Sequence, residues 1–257
     1  PTYLKDEDKS LFIAVSYSGN TEETIDFFEK AIGKKLNVAV ITVGGKLLEL
    51  AKSSGVPFVQ FPDTAIQPRM GLGFMLRSVL KLIGENSLLE DSAKLGDALR
   101  PEELKLKGEE LANKNFGHIP VVYSSRRNLT LAYNWKIKFN EGGKIPAFYN
   151  TFPELNHNEM TGFDAVEATR ELSEKIHFIF IEDSDDHPRI KKRMEILKKL
   201  YHDRNLAVDK LELDGVTRFE KIFRSLLLAD WTAYHLALKY GVEPEQVPMV
   251  EEFKKLI

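Results

Sequence analysis

Leu11-Phe12-Ile13-Ala14-Val15, followed by Ser16-Tyr17-Ser18-Gly19-Asn20-Thr21 and then by Glu22 to Lys35 with Ile25, Phe28 and Ile32 on one side, is the stretch on which the fold turns. The first run is apolar and of strand type, the middle one is small and polar, and the last repeats its apolar residues at helical spacing. Strand, turn and helix in that order leave a hydroxyl-rich turn at the carboxyl end of a strand and at the start of a helix. The free N–H groups of a first helical turn point outward there, and ligands of parallel sheets gather at that edge. Ser16, Ser18 and Thr21 supply hydroxyls, and Gly19 lets the main chain approach an anion closely. A phosphate could be held this way without any lysine. An ordinary N-cap and turn would draw on the same residue types, and the pattern alone does not choose between them.

Outward from this stretch the alternation continues. Asn37 to Val43 is a second strand-like run stopped by Gly44-Gly45, Lys46 to Ser53 reads as helix, and Val56 to Phe61 as a third strand. Pro68-Arg69-Met70-Gly71-Leu72-Gly73 opens an apolar helix running to about Ile83. From Asn86 to Asn115 strands give way to segments rich in Leu, Glu and Lys, which predicts helices bridging two lobes. The pattern then restarts, with strands over Ile119 to Tyr123, Ile145 to Asn150, Ile176 to Ile181 and Leu206 to Leu213. Helices are predicted over Asn128 to Glu141, Ala165 to Lys175, Pro188 to Asp203 and Val216 to Tyr240. The expectation is an α/β chain of two lobes, each a parallel sheet sandwiched by helices in a flavodoxin-like manner. An N-terminal lobe is expected over 1–85, a helical connector over 86–115, and a C-terminal lobe with a C-terminal helix over 116–257.

Bulk properties narrow the function. With 257 residues, 43% hydrophobic, the chain can bury two modest cores, and a net charge of -3 calls for neither a nucleic-acid nor a membrane partner. No apolar run approaches a membrane span, and Pro-Thr-Tyr-Leu-Lys-Asp-Glu-Asp at the start lacks the regions of a signal peptide, so the expected location is cytoplasmic. Cysteine is absent, which removes disulfides, thiolate nucleophiles and cysteine-ligated metals. Asp183 to His187 gathers three carboxylates and an imidazole, but no second histidine or spaced carboxylate completes a ligand set, so no metal is expected there. His118, His177, His202 and His235 fall in strand or helix patterns and read as structural.

Several segments carry a resemblance. Ser-Tyr-Ser-Gly-Asn-Thr after Phe-Ile-Ala-Val resembles the phosphate-binding segment of sugar isomerase (SIS) domains, and the chain as a whole is similar to the bifunctional phosphoglucose/phosphomannose isomerases. Pro68 to Gly73 resembles that family's arginine-bearing turn, Phe139-Asn140-Glu141 its catalytic glutamate helix, and Pro153 to Glu159 its histidine loop. Glu141 and His157 stand sixteen residues apart, as the glutamate and histidine of such isomerases do. The resemblance implies a phosphosugar substrate, an aldose–ketose isomerisation through a cis-enediolate, no cofactor, and a homodimer. It implies Ser16, Ser18 and Thr21 as the phosphate holders and Glu141 as the base that carries a proton between C1 and C2. By the same resemblance His157, reaching in from the neighbouring subunit, opens the ring, Arg69 stabilises the enediolate, and Lys254 of the last helix assists ring opening. Val247-Pro248 stands where the bifunctional members carry threonine before proline, which favours glucose over mannose phosphate isomerisation. The helix and glycine-rich loop that usually precede this first segment are not in the chain, so its first lobe is expected to be N-terminally incomplete. A non-catalytic SIS module that senses a phosphosugar for a partner would keep the turn but has no need of Glu141 and His157 at their spacing.

Overall fold

Two parallel sheets form, in a computed structural model that describes residues 6–256, and each belongs to one of two compact units, Pro1–Lys94 and Leu95–Ile257. The first unit runs β1 (Leu11–Val15), α1 (Glu22–Gly33), β2 (Asn37–Thr42), α2 (Gly45–Ser54), β3 (Phe58–Gln60), a 3-10 turn (Pro68–Met70), α3 (Leu72–Leu82) and α4 (Asn86–Ala93). Its sheet has the order β1-β2-β3, with Leu11 beside Asn37 and Val40 beside Phe58. Phe12 and Ala14 of β1 point with Val38 and Val40 into a core closed by Phe28 and Ala31 of α1 and by Leu47 and Ala51 of α2. The spacing of three and four residues on the helices is what presents one apolar stripe to the sheet. Gly55, at φ 67, ends α2 in the left-handed conformation and returns its N–H to Ala51 and Lys52.

The second unit contains α5 (Leu95–Ala98), α6 (Pro101–Asn115), β4 (Ile119–Ser125), α7 (Leu129–Glu141), β5 (Phe148–Phe152), α8 (Arg170–Ser173), β6 (Ile176–Glu182), α9 (Pro188–His202), β7 (Ala207–Glu212), α10 (Arg218–Tyr240) and α11 (Pro248–Leu256). All four strands are parallel in the order β5-β4-β6-β7, so the chain leaves β4 to one side and then crosses to the other. Tyr123, Phe152, Phe178 and Phe180 from the strands meet Leu155, Met194, Leu197 and Tyr201 in an aromatic-rich core. On the other face α6 packs against α10 at Gly108, where a Cβ would sit 2.4 Å from the Cβ of Trp231, and the Trp231 indole donates to the Pro101 carbonyl at 2.8 Å.

Two expected elements differ. The strand after α7 begins at Phe148 rather than Ile145, because the Ile145 N–H closes the end of α7 on the Phe139 carbonyl at 3.3 Å before the chain can pair with β4. The helix expected over Ala165 to Lys175 is reduced to a 3-10 turn (Glu167–Thr169) and the single turn α8, since Ala165 is buried in a left-handed conformation at φ 55. Among the described residues no helix is long and apolar enough to cross a membrane.

Candidate active site

The turn after β1 is built by its own hydroxyls. Ser16 Oγ and Thr21 Oγ1 lie 2.8 Å apart, and Ser16 Oγ also accepts the Gly19 N–H at 3.1 Å. Ser18 Oγ accepts the Asn20 N–H at 3.2 Å, while Asn20 Oδ1 reaches across to the Lys46 N–H at 3.0 Å. Gly19 sits at φ 75, and a Cβ there would lie 1.8 Å from the Gly44 carbonyl oxygen. Thr21 occupies the N-cap of α1 with no side-chain capping bond. Its hydroxyl faces Ser16 instead; the Thr24 N–H turns back to the Thr21 carbonyl at 3.1 Å, and the N–H groups of Glu22 and Glu23 at the start of α1 can serve an anion. Gly19→Ala therefore forces a left-handed side chain into the Gly44 backbone. We expect a loss of about 2–5 kcal/mol in unfolding free energy, measured by denaturant titration, from strain and overpacking together.

Arg69 lies half-buried in the 3-10 turn Pro68–Met70 of the same unit. The ring of Tyr17, in the hydroxyl turn, seats that segment: a Cβ on Gly71 would be 2.9 Å from Tyr17 Cε2, and the same ring stands edge-on to Phe61 at 5.4 Å.

In the second unit Glu141 is the last residue of α7. That helix is clamped to α10 by the Trp135 indole donating to Ser225 Oγ at 2.9 Å and by the buried Lys138 ammonium on Asp230 at 2.5 Å. Past Glu141 the Gly142 and Gly143 N–H groups both return to the Lys138 carbonyl, at 2.8 and 3.1 Å. Gly142 is required because a Cβ would meet the Lys138 carbonyl at 2.9 Å and Ala233 Cβ at 3.2 Å. His157 is exposed in the 3-10 turn Glu154–His157 that follows the carboxyl end of β5. Its neighbour Asn156 accepts from Arg193 of α9 at 3.4 Å. Lys254 is exposed on α11 and pairs with Glu251 one turn earlier at 2.8 Å.

The sheet separates two of these residues. α7 starts at the carboxyl edge, where Asn128 meets Asp183 just beyond β6, and runs back to the amino edge. Thirteen helical residues span about 20 Å. Glu141 thus ends at the amino edge of the sheet, while His157 stands at the carboxyl edge, and one chain does not bring them together. Glu159, next to His157, is engaged elsewhere: its carboxylate accepts from Tyr123 and Asn150, which ties the turn to the strands. Glu154 accepts from Asn158 at 3.0 Å.

At the carboxyl edge, between β4 and β6, the chain supplies its own anion. The buried Asp183 carboxylate accepts from Arg218 at 2.5 Å, Lys221 at 3.1 Å, the Asp185 N–H at 3.1 Å and Asn128 at 3.3 Å. Burial alone would raise its pKa, but the Asp185 N–H, Lys221 and Asn128 outweigh that and hold it below the usual carboxylate range. Asp186 accepts the Asp183 N–H at 3.2 Å, and His187 Nδ1 takes the Arg189 N–H at 3.1 Å to cap α9. Asp183 and Asp186 are thus buried and held by protein groups, and His187 is engaged through Nδ1. Among the described residues no cluster of three or more His, Asp or Glu is arranged for a metal ion. His177 bridges Asp209 at 2.8 Å and the Lys114 carbonyl at 3.1 Å, inside the unit's base.

Residues 105–257 match the family described as the bacterial phospho-glucose isomerase C-terminal SIS domain. The chain is 39% identical over 245 residues to a bifunctional phosphoglucose/phosphomannose isomerase of Aquifex aeolicus, covering 95% of this chain and 75% of that protein. It is 35% identical over 260 residues to a protein of the same name from Thermoplasma volcanium, covering 98% and 79%. In fold it is similar to the crystal structure of tagatose-6-phosphate ketose/aldose isomerase from Escherichia coli, with a TM-score of 0.67 at 18% identity over 91% of this chain and 69% of that one. Sequence similarity of this extent over nearly the whole chain, on an α/β fold of parallel sheets, places the protein in the bifunctional phosphoglucose/phosphomannose isomerase family.

Proposed function

We propose that this chain is a cytoplasmic homodimeric isomerase that interconverts fructose 6-phosphate and glucose 6-phosphate. The observation that carries the reading is the near-full-length similarity to the Aquifex aeolicus isomerase. Two SIS lobes, over 1–85 and 116–257 with the connector 86–115, present the working residues. Ser16, Ser18 and Thr21 hold the phosphate with the first-turn N–H groups of α1, a reading supported by the missing side-chain cap. His157 opens the ring, assisted by Lys254. Glu141 then takes a proton from one of C1 and C2 and returns it to the other, and the Arg69 guanidinium stabilises the enediolate between the two transfers. The separation of Glu141 and His157 on opposite edges of one sheet supports a site completed by the neighbouring subunit. Val247, with no hydroxyl, favours glucose 6-phosphate over mannose 6-phosphate as the aldose product.

The test is direct. Incubated with fructose 6-phosphate, the protein is expected to form glucose 6-phosphate at a turnover of about 1–1000 per second, and mannose 6-phosphate more slowly. Calorimetric binding of fructose 6-phosphate with no turnover would replace this reading with that of a phosphosugar sensor.

A further inference from the structure

Lys144 is a residue that no motif singles out, three positions past Glu141 in Glu141-Gly142-Gly143-Lys144. Its backbone takes the left-handed conformation, φ 57, which lysine adopts only at a cost. That conformation folds the side chain back so that the ammonium meets three main-chain carbonyls: Glu141, Pro244 at 3.2 Å and Gln246 at 2.5 Å. An ammonium has three N–H donors, and all three find acceptors here. One acceptor is the last carbonyl of α7, which has no partner within the helix and favours a cation at its C-terminus. The other two lie in the segment that joins α10 to α11, just before Val247-Pro248.

The helix that this segment leads into has little else to fix it. None of the residues of α11 is buried, and Met249, Val250, Phe253 and Leu256 are all exposed. Its direction is therefore governed at its root, and the root is held by Lys144. Because the same ammonium holds the Glu141 carbonyl, one side chain couples the end of the glutamate helix to the start of the helix bearing Lys254.

We propose that Lys144 is a positioning residue, which clamps the root of α11 to the end of α7 and so sets Lys254 relative to Glu141. The kinetic consequence rests on the isomerase reading above, whereas the clamp itself does not. Misplacement by about 1 Å of a group that must meet a substrate can cost up to about a hundredfold in rate. In the full chain, Lys144→Met is expected to lower kcat for fructose 6-phosphate at least about tenfold with KM changed less than about threefold. In a Lys254→Met background the same substitution is expected to lower kcat less than about twofold, because both changes act on one element.

Hydrogen exchange followed by mass spectrometry tests the clamp without any turnover. In Lys144→Met, amides over 249–256 are expected to exchange at least about tenfold faster while those over 129–138 stay protected. Lys144→Gln keeps an amide donor, is expected to give an intermediate rate, and serves if the methionine variant does not fold. Unchanged exchange over 249–256 in both variants overturns the proposal. So does a full, independent loss of kcat in the Lys254→Met background. An inactive wild-type chain would instead count against the isomerase reading, and the exchange result would still decide the clamp.

Discussion

Glu141→Gln and His157→Gln are each expected to lose about 10²–10⁴ in kcat, and an equal mixture of the two, unfolded and refolded together, is expected to recover about a quarter of wild-type activity. The loss follows from chemistry. Glutamine keeps the shape of Glu141 but cannot accept the C1 or C2 proton, and at position 157 it cannot shuttle a proton at the ring oxygen. The recovery follows from geometry. α7 carries Glu141 to the amino edge of the second sheet, and β5 delivers His157 to the carboxyl edge. If the working pair comes from two subunits, half of the randomly formed dimers are mixed, and each mixed dimer contains one site with both residues intact. Coupled assay of glucose 6-phosphate formation before and after mixing reads the result. Mixtures no more active than the separate variants would mean that one chain supplies both residues, and the dimeric site would fall with that outcome. A wild-type level of activity in Glu141→Gln alone would remove Glu141 as the base.

A large effect on the stability of the second unit is expected at Asp183. Asp183→Asn leaves the Arg218 guanidinium and the Lys221 ammonium facing a neutral amide in the interior between β4, β6 and α10. Breaking a buried ion pair by removing one partner costs about 3–5 kcal/mol. The lower half of that range applies, because the Arg218 side chain is 34% exposed and Lys221 keeps Asp185 at 3.1 Å. A loss of about 3–4 kcal/mol corresponds to a fall of roughly 10 °C in the unfolding midpoint for a domain of this size. Calorimetry on the wild type and the variant measures it.

The same residue gives a pH dependence with a defined sign. Its folded-state pKa lies below the unfolded value, so its contribution is fully present above the unfolded pKa and is lost as pH falls through the folded one. The gap in stability between wild type and Asp183→Asn is therefore expected to be constant from neutral pH down to about 5 and to close progressively below about 4. A gap that stayed constant into strong acid would show that the carboxylate charge is not what the cluster uses.

The turn after β1 shows how far local reading reaches. Its place at a strand end, its hydroxyls and its glycine were all legible, because strand and helix periods and turn chemistry are properties of neighbouring residues. What the letters left open was whether Thr21 caps α1, and that was decided by Ser16, whose hydroxyl takes the threonine's in place of a backbone N–H. The start of β5 and the break in the helix at Ala165 depart from the local pattern for a related reason, since pairing with β4 and burial of Ala165 are set by distant parts of the chain.

The alternation of elements and the parallel sheets came from order and spacing along the chain, and the candidacy of Glu141, His157, Arg69 and the hydroxyl turn came from the resemblance that their motifs carry. The tertiary structure alone decided which edge of the sheet each residue occupies, and with it that Glu141 and His157 are kept apart. It alone disclosed the partners of Asp183, Lys138 and Lys144, which lie 55, 92 and 102 residues away at Asn128, Asp230 and Gln246. Side chains of that separation leave no periodic trace in a sequence, because nothing local constrains one partner by the other. They meet only after the strands have paired and the helices have packed across them.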